Sequence, residues 1–298
     1  MKQLQGVFAP VVTTFYRESG EMDVASFAAN IRAHLAAGVH GIVVTGSTGE
    51  AALLDNDERS ALIDAAREMV PRDKVLLIGT GAESTRTCLK LTRDAASRGA
   101  DAVLVVAPHY YSSAMNDAAL RGHYLRVADA SPVPVVLYTI PKYMHFALSA
   151  ALVAELAQHQ NVVGIKDSSG NIDILSGYLR SQSDAFTVLT GNATTFHNAL
   201  QAGARGGILA AALFAPTMSL DVFEAHQRGD ESGTTAAQSR LAPLGSKIVG
   251  DLGVPGVKAA MDSVGLAGGP VRSPLTALNE AQMASVAQLM QSAELVAA

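Results

Sequence analysis

Residues able to do chemistry stand at four places in this chain. In Gly164-Ile165-Lys166-Asp167-Ser168-Ser169-Gly170 a lysine closes an apolar run. A buried lysine loses charge, because desolvation lowers its pKa, and a neutral amine attacks a ketone to form an imine. The plainer alternatives are a lysine that reaches solvent or pairs with Asp167. Leu137-Tyr138-Thr139-Ile140-Pro141 offers a phenol for proton transfer, or else a core ring with its hydroxyl at the rim. Thr45-Gly46-Ser47-Thr48-Gly49-Glu50 sets two hydroxyls between glycines, either a nest for a carboxylate or phosphate or an ordinary turn. In Ala107-Pro108-His109-Tyr110-Tyr111 the paired tyrosines could pack, hold a subunit contact or extend a hydroxyl relay. His109, His123, His145, His159 and His197 are too dispersed for a metal site, and neither His-Glu-x-x-His nor Cys-x-x-Cys occurs. No metal is expected.

The elements that must position these groups are short apolar runs alternating with amphipathic stretches. The runs are Gly6 to Val12, Gly41 to Val44, Val75 to Ile78, Ala102 to Val106, Val133 to Tyr138, Val162 to Lys166, Phe186 to Leu189 and Gly206 to Leu209. Continuous rather than alternating apolar strands predict a parallel sheet covered by helices. Such units close into an α/β (β/α)8 barrel over residues 1–220, and residues 221–298 read as a helical extension packed on it. The competing open, doubly wound sheet lacks its Gly-x-Gly-x-x-Gly fingerprint at the first junction. In a barrel the four chemical segments all fall at the strand ends or the loops that follow them, the end where such folds keep their active sites.

Composition narrows the partners. A formal charge of −5 and a pI near 5.9 provide no overall positive field for nucleic acid, so small molecules are the expected ligands. One cysteine, Cys88, excludes an internal disulfide and fits the cytoplasm. The opening Met1-Lys2-Gln3-Leu4-Gln5-Gly6 has no leader-like apolar stretch, and no run approaches the roughly 20 apolar residues of a membrane span.

These motifs together resemble the dihydrodipicolinate synthase and N-acetylneuraminate lyase superfamily over nearly the whole chain. The likeness rests on Gly46-Ser47-Thr48-Gly49-Glu50, Tyr138-x-x-Pro141, the placing of Lys166 after Tyr138, and Gly253-Val254-Pro255-Gly256-Val257-Lys258. The resemblance implies that Lys166 forms a Schiff base with pyruvate or a pyruvate-derived 2-oxo acid, so that no separate cofactor is needed. It implies that Tyr138 moves protons, and that Ser47 and Thr48, with backbone N–H groups around Gly49, hold the carboxylate. Gly191 and Ile208, at the ends of the last two strands, complete the implied binding residues. Tyr110 or Tyr111 would enter a neighbouring subunit's site, in a tetramer built as a dimer of dimers.

Two departures bear on the second substrate. Where the synthases carry an arginine two residues after the proline, this chain has Pro141-Lys142-Tyr143, and Lys142 lacks an arginine's bidentate fork. Gly191 is followed by Asn192 rather than the acids that hold a sugar chain in the neuraminate lyases. The middle of the chain, especially Gly81-Ala82-Glu83-Ser84-Thr85, Tyr110 through Tyr124 and Val127 through Pro134, is most similar to 4-hydroxy-2-oxoglutarate aldolase, which implies reversible cleavage to pyruvate and glyoxylate. The alternatives are 4-hydroxy-tetrahydrodipicolinate synthase and a 2-keto-3-deoxy sugar acid aldolase or dehydratase. From other classes come a non-catalytic 2-oxo acid binder and, last, a phosphate-binding barrel enzyme.

Overall fold

The computed structural model describes residues 4–297. Met1 to Gln3, which open the segment read for an export leader, lie outside the described residues. Eight parallel strands follow one another in chain order and close, with the first pairing to the last. They are β1 Gly6–Pro10, β2 Gly41–Val44, β3 Val75–Gly79, β4 Ala102–Val106, β5 Val135–Thr139, β6 Val162–Asp167, β7 Thr187–Thr190 and β8 Gly206–Ile208. Ile42, Val44, Leu76, Leu77, Ile78, Val103, Val105, Val135 and Val136 are all fully buried, as strands with both faces covered require.

The outer layer is α1 Val24–Ala36, α2 Asn56–Met69, α3 Thr85–Ser97, α4 Asp117–Ala130, α5 Pro141–Met144, α6 Ala150–Leu156, α7 Ile172–Leu179 and α8 Phe196–Gln201. Ser84, Asn116, Ser149 and Asn171 each accept a hydrogen bond from a backbone N–H of the first turn they precede, which starts those helices sharply at the mouth of the barrel. The chain continues through α9 Pro216–Gln227, α10 Glu231–Pro243, a π-helical segment Leu244–Asp251, α11 Gly253–Ser263 and α12 Glu280–Ser292. Helix α9 runs across residue 220, where the sequence places the start of the extension. No helix of the described residues is long and apolar enough to cross a membrane.

The C-terminal part is tied to the barrel mouth by buried charge. Glu50 ends the turn after β2, and its side chain is wholly buried against Lys258 of α11, with Oε1 2.5 Å from Nζ. Its Oε2 accepts the backbone N–H of Arg272 at 2.7 Å, while Lys258 also donates to the carbonyl of Pro270 at 2.7 Å. Arg272 then grips Glu58 of α2 with two bonds of 2.6 and 2.7 Å and lies over the ring of Phe15. Burial pushes the Lys258 pKa down, against the upward pull of the Glu50 carboxylate. Such a pair gains little over apolar side chains, yet removing one partner strands the other charge in the interior. Lys258→Met should therefore cost about 3–5 kcal/mol in urea unfolding, and adding Glu50→Gln should restore part of that loss. A single variant as stable as the parent chain would contradict this account of the pair.

Candidate active site

Side chains alternate between the two faces of a strand, so Lys166 and Asp167 cannot share a side of β6. Lys166 is only 7% exposed, and its Nζ lies 4.3 Å from the ring centroid of Tyr138 on the neighbouring strand. The pairing of β5 with β6 sets those two residues opposite each other. Asp167 instead accepts from the backbone N–H and hydroxyl of Ser169, at 2.9 and 2.8 Å, and burial raises its pKa to about 6. Among the described residues no ion pair joins Lys166 to Asp167, so the alternative of a surface pair is removed; the near-complete burial removes that of a solvated lysine.

Two residues shape the space around the amine. Ser168, the next residue after Asp167, places Oγ 3.5 Å from the Tyr138 hydroxyl. Gly191 follows β7, and a Cβ there would collide with Ser168 Oγ and come within 2.8 Å of Lys166 Cε. Glycine is required at that position by close approach rather than by backbone angle. Ile208, the last residue of β8, is 1% exposed and pairs with Phe8.

The turn after β2 divides its polar groups. Gly49 donates its N–H to the Gly46 carbonyl at 3.0 Å, and its own carbonyl accepts from Thr13 Oγ1 at 2.7 Å. Glu50 and Ala51 likewise donate within the turn, to Ser47 and Gly46. Gly49 thus builds the turn, while Ser47 and Thr48 are partly exposed and their hydroxyls meet no partner among the described residues. Thr45 and Glu50 flank it with φ of 52° and 56°, a left-handed conformation uncommon outside glycine. Thr45 Oγ1 steadies the first of these by donating to the Gly79 carbonyl at 2.9 Å.

Tyr110 and Tyr111 stand apart from this cluster. They are 77% and 69% exposed and meet edge to face, with centroids 5.0 Å apart. Glu83 holds their loop by accepting from the N–H groups of His109 and Tyr110 at 2.9 and 2.8 Å. Among the described residues neither tyrosine hydroxyl has a partner in its own chain. On the other side of the mouth Lys142 donates to the Gly250 carbonyl of the π-helical segment at 2.7 Å. Tyr143, two residues after Pro141, is 41% exposed.

Sequence reasoning singled out Lys166, Tyr138, Ser47, Thr48 and Gly191 but passed over Ser168 and the role of Glu50. Ser168 was open to discovery, since it lies two residues beyond Lys166 and so on the same side of the strand. Glu50 was not, because its partners are more than two hundred residues away in the chain.

The pattern that defines the dihydrodipicolinate synthetase family matches residues 3–293. A 4-hydroxy-tetrahydrodipicolinate synthase of Methanoculleus marisnigri is 37% identical over 280 residues, covering 93% of this chain and 95% of that one. The crystal structure of dihydrodipicolinate synthase DapA-2 from Bacillus anthracis superposes with a TM-score of 0.93 at 28% identity, covering 98% of this chain and 99% of the other. A prophage protein of the same family from E. coli K12, solved in complex with pyruvate, has a TM-score of 0.91 at 31% identity, with 98% and 99% coverage.

Gly191→Ala should abolish borohydride trapping of pyruvate, because the methyl group displaces Ser168 and the Lys166 stem. Adding Ser168→Ala should restore part of the trapping. Full trapping in the single variant would show that the glycine does not shape the amine's surroundings.

Proposed function

The chain belongs to the dihydrodipicolinate synthetase family, lyases that bind pyruvate as a Schiff base on a lysine, and from that premise we propose that Lys166 is this lysine and Tyr138 its proton carrier. The observation that carries the assignment is the buried Lys166 amine 4.3 Å from the centre of the Tyr138 ring, at the mouth of the barrel. Ser47 and Thr48 hold the pyruvate carboxylate, for which their unpartnered hydroxyls are suited. The amine adds to the C2 ketone and water leaves, giving the imine. Loss of a C3 proton turns the protonated imine into an enamine, which attacks an aldehyde carbon. Tyr138 supplies the proton to the resulting alkoxide, with Ser168 beside it as the group that orients the phenol. With a simple aldehyde, water then hydrolyses the imine and frees Lys166, and the same steps reversed cleave a 4-hydroxy-2-oxo acid; with an amino-acid semialdehyde, the product's own amine displaces Lys166 from C2 and closes the ring.

The relatives' names favour a synthase as the specific activity, ahead of the 4-hydroxy-2-oxoglutarate cleavage to which the middle of the sequence points. Subtracting pyruvate from the carbons and nitrogen of 4-hydroxy-tetrahydrodipicolinate leaves a four-carbon amino-acid semialdehyde as the partner. The aldolase reading is retained on one observation: Tyr143 replaces the guanidinium, and Lys142 is held by Gly250. The exposed Tyr110 and Tyr111 are suited to a site completed by a second subunit, so we place the enzyme in a tetramer. The sole thiol, buried at Cys88, is compatible with a cytoplasmic setting.

Rates of enamine addition measured with the semialdehyde and with glyoxylate decide between the readings. A preference for the semialdehyde supports the synthase, and a preference for glyoxylate the aldolase. Tyr138→Phe should lower turnover with the better aldehyde by about 10²- to 10⁴-fold while imine trapping persists slowly. Unchanged turnover would remove Tyr138 from the mechanism.

A further inference from the structure

The overall negative charge conceals a local excess of the opposite sign. Helix α3 carries Arg86, Lys90 and Arg93 at intervals of four and three residues, which aligns them along one stripe of the helix. With Arg126 of the neighbouring α4, Thr85 and Leu89 they line a groove of about 480 Å³ on the outside of the barrel. All four cations are exposed, and among the described residues none has a hydrogen-bonded or ion-paired partner.

The acids of the two helices are engaged elsewhere. Asp94 of α3 binds Arg98 at 3.0 Å and accepts from Ser60 of α2, on the flank away from α4. On α4, Asp117 accepts from Ser149 and Asp129 from His159, both on the α6 side. Glu83, at the entrance to α3, is occupied by the N–H groups of His109 and Tyr110 and by the His109 ring. A solvated helix face ordinarily mixes the two signs, whereas here each helix turns its acids outward and leaves the shared groove wholly cationic. Like charges gathered in a concavity repel one another and concentrate anions from solution.

We propose that the groove between α3 and α4 binds a small polyanion carrying several phosphoryl or carboxylate groups, at a site separate from Lys166. Three guanidinium groups, of Arg86, Arg93 and Arg126, provide forked donors for such oxygens. The proposal stands independently of the imine chemistry, since it draws on none of Lys166, Tyr138, Ser168, Gly191, Ser47 and Thr48.

Calorimetric titration of the full-length protein with tripolyphosphate and, separately, with citrate, both at fixed ionic strength, tests it. Saturable binding of either probe is expected, with the tighter of the two identifying phosphoryl or carboxylate recognition. The double variant Lys90→Glu/Arg93→Glu should weaken binding by roughly tenfold or more, a loss of about 1.4 kcal/mol or greater. Arg17→Glu, an exposed charge reversal outside the groove, should leave binding unchanged, and both proteins should retain parental melting and pyruvate trapping. Failure of both probes to bind, or equal weakening by Arg17→Glu, would overturn the proposal.

Discussion

The contact between Glu50 and Lys258 is the constraint on which the rest of the mouth depends. It joins the turn that carries Ser47 and Thr48 to a helix from the far end of the chain, and both side chains are out of water. Neither charge has an acceptable alternative in the interior, so the turn and α11 must pack in one relative position. The bonds from Arg272 to Glu50 and Glu58 extend the tie to α2. The C-terminal helices consequently help to fix the turn that carries the Ser47 and Thr48 hydroxyls, and the barrel and its extension work as one device.

The opposite wall of the site depends on strand alternation. Because Lys166 and Asp167 point to opposite faces of β6, the amine enters the barrel while the carboxylate is absorbed into the capping of the following loop. The closed barrel keeps β5 and β7 on either side, so Tyr138 and Gly191 flank the same amine. One side supplies a phenol, and the other lets the Lys166 stem and Ser168 lie close against the backbone of Gly191.

The barrel was legible in the sequence because continuous apolar runs are what strands covered on both faces require, and eight of them recur with helices between. Lys166 and Tyr138 were legible because a polar residue closing such a run must emerge at the mouth. The expected first strand extended to Val12, beyond the observed Pro10, since apolar composition continues into the buried loop that follows. The turn after β2 was recognised from its glycines and hydroxyls, but the sequence left open which N–H groups were free; the fold assigns that of Gly49 to the turn itself. Long-range charge pairs such as Glu50 with Lys258 leave no local signature. Nor could net charge disclose the groove of α3 and α4, because a sum over the chain discards position.

The measurement that tests the central claim most directly is borohydride reduction in the presence of pyruvate, followed by intact-mass analysis and peptide mapping. The account predicts a single pyruvyl adduct on Lys166 that disappears in Lys166→Ala. An adduct on another lysine, or none from a folded protein that binds pyruvate, would contradict it.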